Sequence, residues 1–467
     1  MDGNRTKKLM NRKGERSMKY SELLPTKENI INTIEEDILG RNKDIMHFYQ
    51  LLATQNSSGI IAIDGKWGSG KTFFVKQLEY VIDAYNPASV MDDDTRKRII
   101  SKIKIPERID NCCKAVYYDS WANDNSTDPI ISLVYEITRQ TSTQYDISIC
   151  NLSGTAASII EAFSGRSIKG ILDNLRAENP IEKIKQETNL EDNIKFFFQE
   201  AVNEKGNRMI IFIDELDRCK PTFAVGMLER IKHYLCDDRI TFVISTNIVE
   251  LQHTIKHYYG ESFDACRYLD RFFGSVVALP SANLDKYYIK IGMRESVLSS
   301  ICERIVEMYH FEPREIARFT EQINTSMYRF LKCNEYDDLP SVRGKRFVLV
   351  YIIPLIIALR KVSIDLYNEF INGENSEQLY LLLTYKGTDL CSFHEMINKN
   401  ETLSNEEGKA TISKKDVSDR FYKAIFVDKY NCVEYSKQYG NYEFDKESKG
   451  FAIRVANLMS DYASFLN

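Results

Sequence analysis

Apolar residues along the chain fall into two kinds of pattern, short unbroken runs and longer helical periods. Asn29 to Asp37 and Asp44 to Leu52 carry apolar positions at helical spacing. Gly59-Ile-Ile-Ala-Ile63 is an unbroken apolar run, as expected of a strand covered on both faces, and Phe73 to Ile82 after it reads as a helix. The polar stretch Asn86 to Arg98, with Asp92-Asp93-Asp94, predicts a surface connection, and its acidic run a solvated loop. Ala115 to Tyr118 predicts a strand and Asp128 to Thr138 a helix with Pro129 in its first turn. Met209 to Ile213 and Ile240 to Ser245 are two further strand-like runs bounded by polar turns and helices. This alternation predicts an α/β fold with a mostly parallel sheet flanked by helices.

Between the strands, residues from about 150 to 195 turn Gly- and Ser-containing, then charged and helical, which predicts an insertion at the sheet edge. From Leu284 onward helical periodicity dominates, with polar loops near Asn334 to Arg343 and Asn398 to Glu407, and no internal repeat is present. The expected organisation is a basic disordered arm over 1–28, a core over 29–283, a helical segment over 284–334 and a further helical domain of unassigned role over 335–467.

Composition narrows the function classes. With 467 residues and 43% hydrophobic content the chain can bury more than one core. Its 62 basic and 67 acidic residues leave a net charge of −5, so no whole-molecule field draws it to nucleic acid or anionic lipid; any nucleic-acid contact must be local, as through the basic arm. Ten cysteines are scattered without C-x-x-C spacing, the pattern of reduced thiols in a cytoplasmic protein. The first residues lack the apolar centre of a secretory signal. The longest apolar run, Phe347 to Leu359, falls short of the roughly 20 residues that cross a bilayer and contains Pro354, so a buried helix and no membrane contact are expected. His253 and His257 lie four apart but lack the Glu of an H-E-x-x-H zinc motif.

The candidate chemistry lies in four places. Gly65-Lys66-Trp67-Gly68-Ser69-Gly70-Lys71-Thr72 fits G-x-x-x-x-G-K-[ST], followed by Phe73, between a predicted strand and helix. Such a loop turns backbone N–H groups toward phosphate oxygens, with Lys71 on the β- and γ-phosphates and the Thr72 hydroxyl on Mg²⁺. The run Met209 to Ile213 ends in Asp214-Glu215, where Asp214 can hold the metal and Glu215 can polarise water as general base. Ser245-Thr246-Asn247 ends a third strand, and Asn247 is a candidate contact to the γ-phosphate or a plain strand-end turn. Arg271, in Tyr268-Leu-Asp-Arg-Phe-Phe, could neutralise transition-state charge in its own subunit or a neighbour's, or form a salt bridge on a helix.

These blocks, in order, resemble the KAP family of P-loop NTPases, within the larger group of AAA+ and STAND ATPases. The resemblance also rests on Asp37-Ile38-Leu39-Gly40-Arg41, on Trp121 with Asp128-Pro129, on Ile213-Asp-Glu-Leu-Asp-Arg218-Cys-Lys-Pro221 and on Phe311-Glu-Pro-Arg314-Glu-Ile-Ala-Arg-Phe319. It implies a sheet with a strand inserted between the two Walker strands, a segment containing Ile38, Leu39 and Arg41 near the adenine, and a helical lid over 284–334 whose Arg314 senses the γ-phosphate. Asn247 and Arg271 depart from the acidic residue and the lysine that relatives often carry. Many relatives have transmembrane helices between the Walker motifs; Glu161, Arg166, Lys169 and Asp173 argue against one here.

The expected function is Mg²⁺-dependent ATP binding and hydrolysis, coupled to homo-oligomer assembly or to a separate effector protein. The resemblance makes bacterial anti-phage defence a suitable setting. Rival readings are a slow-turnover STAND-like switch, a nucleic-acid-stimulated ATPase and a small-molecule kinase; the last needs neither a Glu beside Asp214 nor a lid arginine.

Overall fold

The computed structural model describes residues 24–54, 59–106, 113–126, 128–141, 194–202, 207–234, 237–291, 297–326, 343–385, 414–427, 442, 444 and 447–457. The expected arm up to residue 23 and nearly all of the 150–195 insertion lie outside them. Thr26, placed in the expected arm, instead caps a helix that begins at Lys27, its Oγ1 accepting from the Asn29 N–H.

The chain divides into two compact units, with residues 22–286 in one and the residues from 287 on in the other. Among the described residues the first is built on five strands: β1 (Gly59–Asp64), β2 (Cys113–Asp119), β3 (Arg208–Asp214), β4 (Ile240–Thr246) and β5 (Ser275–Ala278). Their order is β2-β3-β4-β1-β5, and every neighbouring pair is parallel. β4 is the strand inserted between the two Walker strands, pairing Ile63 with Ser245 on one side and Asp214 with Ser245 on the other.

Alternation along each strand divides the apolar residues between two layers. Ile60, Ala62, Ile211, Ile213, Phe242 and Ile244 face helices that include Pro129–Thr141, Pro221–Tyr234 and Ile248–Tyr259. Ile61, Ile63, Ile210, Phe212 and Val243 face the Lys27–Glu36, Asn42–Thr54 and Lys71–Tyr85 helices. With both faces covered, the central strands must be apolar throughout, which is why they appear in the sequence as unbroken runs.

Two elements differ from expectation. Residues 86–98 are not simply a surface connection: Asp93–Lys102 is a helix, with Asp92 as its N-cap accepting from the Thr95 N–H at 2.8 Å. The three aspartates form the negatively charged start of a helix, favourable to its dipole. β5 was not anticipated, because its four residues are mostly exposed at a sheet edge and carry no period.

In the unit from residue 287, the Val297–Met308 and Pro313–Ser326 helices, expected as a lid, pack with helices from the 335–467 segment. Gln322 donates to the Ala456 carbonyl at 3.1 Å, and Tyr309 donates to Gln378 Oε1 at 2.8 Å. Phe347 to Leu359 is buried throughout and stays helical across Pro354. A π-helical turn over Val348–Ile352, in which the Ile353 N–H bonds the Val348 carbonyl, makes room for a residue that would break a regular helix. Among the described residues no helix is long and apolar enough to cross a membrane.

Candidate nucleotide site

The loop from Gly65 to Gly70 joins the carboxyl end of β1 to the helix that starts at Lys71. Gly68 and Gly70 take φ values of 85° and 94°, left-handed conformations that glycine adopts without Cβ strain. The Gly65 N–H bonds the Thr246 carbonyl at 3.2 Å, fastening the loop to β4. Lys71 is buried, its ammonium donating to the Gly65 and Lys66 carbonyls at 2.6 and 3.2 Å. Burial lowers its pKa, an effect opposed by Asp217, Asp214 and Glu215. A phosphate in this loop would supply the countercharge that burial removes.

Thr72, Asp214 and Glu215 meet across the gap between the β1 and β3 ends. Thr72 Oγ1 donates to Asp214 Oδ2 at 2.7 Å and lies 3.4 Å from Glu215 Oε1. Asp214 is fully buried, and burial raises its pKa despite the hydroxyls around it. Tyr117, on β2, donates its hydroxyl to the same Oδ2 at 3.1 Å, while Asp214 Oδ1 is buried with no hydrogen-bond partner. A buried carboxylate with a free oxygen beside a threonine hydroxyl fits a hard divalent cation. Among the described residues no three His, Cys, Asp or Glu side chains are grouped to hold a metal, so such an ion would rest on Thr72, Asp214, phosphate oxygens and water.

Glu215 takes a left-handed backbone conformation, φ 62°, which turns the chain sharply at the tip of β3. Burial, then Asp214, raises its pKa, while Arg218 opposes the rise. Its Oε2 pairs with Arg218 Nε at 2.5 Å. Asp217 accepts from Trp67 Nε1 at 2.5 Å and from Thr246 Oγ1 at 3.2 Å. The Arg218 guanidinium lies 6.0 Å from the Trp67 ring and 5.7 Å from that of Trp121, which follows β2. None of Tyr117, Asp217 or Arg218 was assigned a role from the sequence: Asp217 and Arg218 stand in the block that follows Asp214 without their partners being readable there, and Tyr117 comes to the site only through the parallel register of β2 and β3.

The segment before the loop touches it from the other side. Arg41 is buried and donates to the Ser69 carbonyl at 3.0 Å, and a Cβ added to Gly70 would stand 3.0 Å from Arg41 Nη1 and 3.7 Å from Leu39 Cδ1. Ile38 is buried beside them in sequence. Asn247 is half-buried at the carboxyl end of β4, between β1 and β3, and its side chain does not cap the helix it precedes.

The two arginines come from later segments of the chain. Arg271 is exposed after the Ala265–Asp270 helix, just before the Gly274 N–H bonds the Ile60 carbonyl at the start of β1. It therefore belongs to the amino-terminal ends of the strands, whereas the P-loop follows their carboxyl ends, so it does not reach its own chain's P-loop. Its backbone carbonyl accepts from Lys232. Arg314 is exposed in the first turn of the Pro313–Ser326 helix, in the unit from residue 287.

A parallel sheet with a strand inserted between a P-loop strand and an acidic strand end defines a P-loop NTPase domain. The family model described as "KAP family P-loop domain" matches residues 41–326, more than half of the sequence, and the chain belongs to that family. No curated protein matches it. Among solved structures it is similar to the Aeropyrum pernix ORC2 protein (ADPNP-ADP complexes), at 11% identity over 82% of this chain and 93% of that one, with a TM-score of 0.32, too loose a superposition to bear on function.

Proposed function

We propose that the protein binds ATP with Mg²⁺ and hydrolyses it, coupling nucleotide state to self-assembly or to a partner protein. The observation that carries this reading is the meeting of Thr72, Asp214 and Glu215 over the loop that holds Lys71. The Gly65–Gly70 N–H groups and Lys71 hold the β- and γ-phosphates, and the purine packs toward Ile38, Leu39 and Arg41. Mg²⁺ on Thr72 and Asp214 would supply positive charge to the phosphate oxygens. Glu215 takes a proton from water as the water oxygen bonds the γ-phosphorus; the bond from that phosphorus to the bridging oxygen breaks, and ADP leaves with its electron pair. Asn247 orients the water or the γ-phosphate.

Helices over 284–334 act as the lid in this reading, with Arg314 on the γ-phosphate, and the 335–467 segment receives the partner. Arg271, at the far end of the sheet, serves the nucleotide of a neighbouring subunit. The family suggests a setting in bacterial defence against mobile elements.

The test separates binding from turnover. Glu215→Gln should bind ATP within about threefold of the wild type and lose at least roughly a hundredfold in phosphate release, in line with loss of a general base. EDTA should abolish release in the wild type. Wild-type turnover in Glu215→Gln, or release unaffected by EDTA, would refute the reading.

A further inference from the structure

Asp217 and Arg218 lie two and three residues past the proposed base, and the charge of Asp217 acts on the Lys71 ammonium. Each also joins β3 to the P-loop through the same residue, Trp67. Asp217 accepts from the Trp67 indole N–H, and the Arg218 guanidinium lies near both the Trp67 and the Trp121 rings. Arg218 then pairs with one oxygen of Glu215, Oε2, while the other, Oε1, is turned toward Thr72.

This division of the carboxylate matters. A glutamate with both oxygens free can rotate about its last torsion and meet water with either. Tying Oε2 to a guanidinium that is itself placed by two indoles leaves Oε1 as the oxygen that meets water on the Thr72 side. Trp67 lies between Lys66 and Gly68, inside the loop that closes on phosphate, so a change in that loop reaches Arg218 through the ring and Asp217 through the N–H.

We infer that Asp217 and Arg218 form a clasp that transmits the conformation of the P-loop to Glu215, with Arg218 positioning the base and Trp67 reporting the loop. The inference rests on the proposed ATPase reading and adds positioning residues to it. Arg218 acts through Glu215 and touches no reacting atom. The paired oxygen accepts no proton from water; that proton goes to Oε1.

The chain has only two tryptophans, Trp67 and Trp121, both with rings near the Arg218 guanidinium, so intrinsic fluorescence observes the clasp directly. In Trp121→Phe protein the emission comes from Trp67 alone. Addition of ATP with Mg²⁺ should shift that emission, and Asp217→Asn or Arg218→Gln in the same background should remove most of the shift while ATP affinity stays within about threefold. In the otherwise native chain Arg218→Gln should lower kcat at least tenfold with KM little changed. Arg218→Lys should recover part of that loss, and Trp121→Phe should keep more of kcat than Trp121→Ala because it retains a ring face. Unchanged or increased kcat in Arg218→Gln beside an inactive Glu215→Gln would overturn the clasp alone. So would parallel loss of ATP affinity and kcat, the mark of a merely structural role. Wild-type turnover in Glu215→Gln would instead overturn the reading beneath it.

Discussion

At the scale of residues, Lys71 and Gly70 do different work in the same loop. Lys71 places a cation where burial has removed water, so it gains most when phosphate arrives. A hydrogen bond to a charged group contributes about 1.5–3 kcal/mol, so Lys71→Ala should weaken ATP binding roughly tenfold to more than a hundredfold, as read by equilibrium titration. Gly70 contributes geometry: at φ 94° a side chain is strained, and its Cβ would press on Arg41. Gly70→Ala should therefore weaken ATP binding and release Arg41 from the Ser69 carbonyl, as read by equilibrium titration. Retention of full affinity in Gly70→Ala would contradict the loop geometry. The P-loop and the Asp214-Glu215 pair were legible in the sequence because each is a local pattern whose spacing is set by one turn of chain. Tyr117 was not, because its bond to Asp214 joins positions 97 apart and depends on the β2 and β3 register. Trp67 and Asp217, 150 apart, were quoted within their motifs, but nothing in either motif indicates that they meet.

At the scale of elements, the strands that the sequence showed best are those buried on both faces. β1, β3 and β4 lie inside the sheet, and their continuous apolar runs follow from that position. β5, exposed at the edge, offers only the four-residue run Val276 to Leu279, too short to set a strand apart from a loop. Phe212 is fully buried at the centre of β3, so Phe212→Ala should cost about 3–5 kcal/mol, lowering the midpoint of chemical unfolding of the 22–286 unit. The Asp92 cap bears on the one helix that the polar composition hid. Its carboxylate accepts from the Thr95 N–H and pairs with Lys27 at 3.0 Å, so Asp92→Ala should lower the midpoint of chemical unfolding, chiefly through loss of the cap because the ion pair is exposed. Lys27→Ala should then cost far less than Asp92→Ala in the same measurement; equal costs would place the stability in the ion pair. The helix expected over Phe347 to Leu359 is present, and the π-turn beside Pro354 supplies the space that the ring needs, a device the sequence does not display.

At the scale of the whole molecule, the parallel sheet has two chemically different ends. The carboxyl end carries Lys71, Thr72, Asp214 and Glu215, and the amino end carries Arg271. Gly274 is bonded to Ile60, five residues before Gly65, and a strand rises about 3.3 Å per residue, so Arg271 stands on the order of 16 Å from its own P-loop along the strand. An arginine side chain does not span that distance, so a catalytic Arg271 has to act on another subunit's nucleotide. Arg271→Ala should then lower turnover much more than ATP affinity, because a cation placed for the transition state finds little of that charge in the ground state. Mixing inactive Arg271→Ala with inactive Lys71→Ala protein should restore part of the phosphate release, since one kind of mixed interface joins an intact P-loop to an intact arginine. The recovered activity should rise with total protein concentration, as assembly requires. Two inactive variants that stay inactive at every ratio and concentration would exclude the shared site. Full activity of Arg271→Ala alone would remove the arginine from the mechanism and leave the amino end of the sheet without a catalytic part.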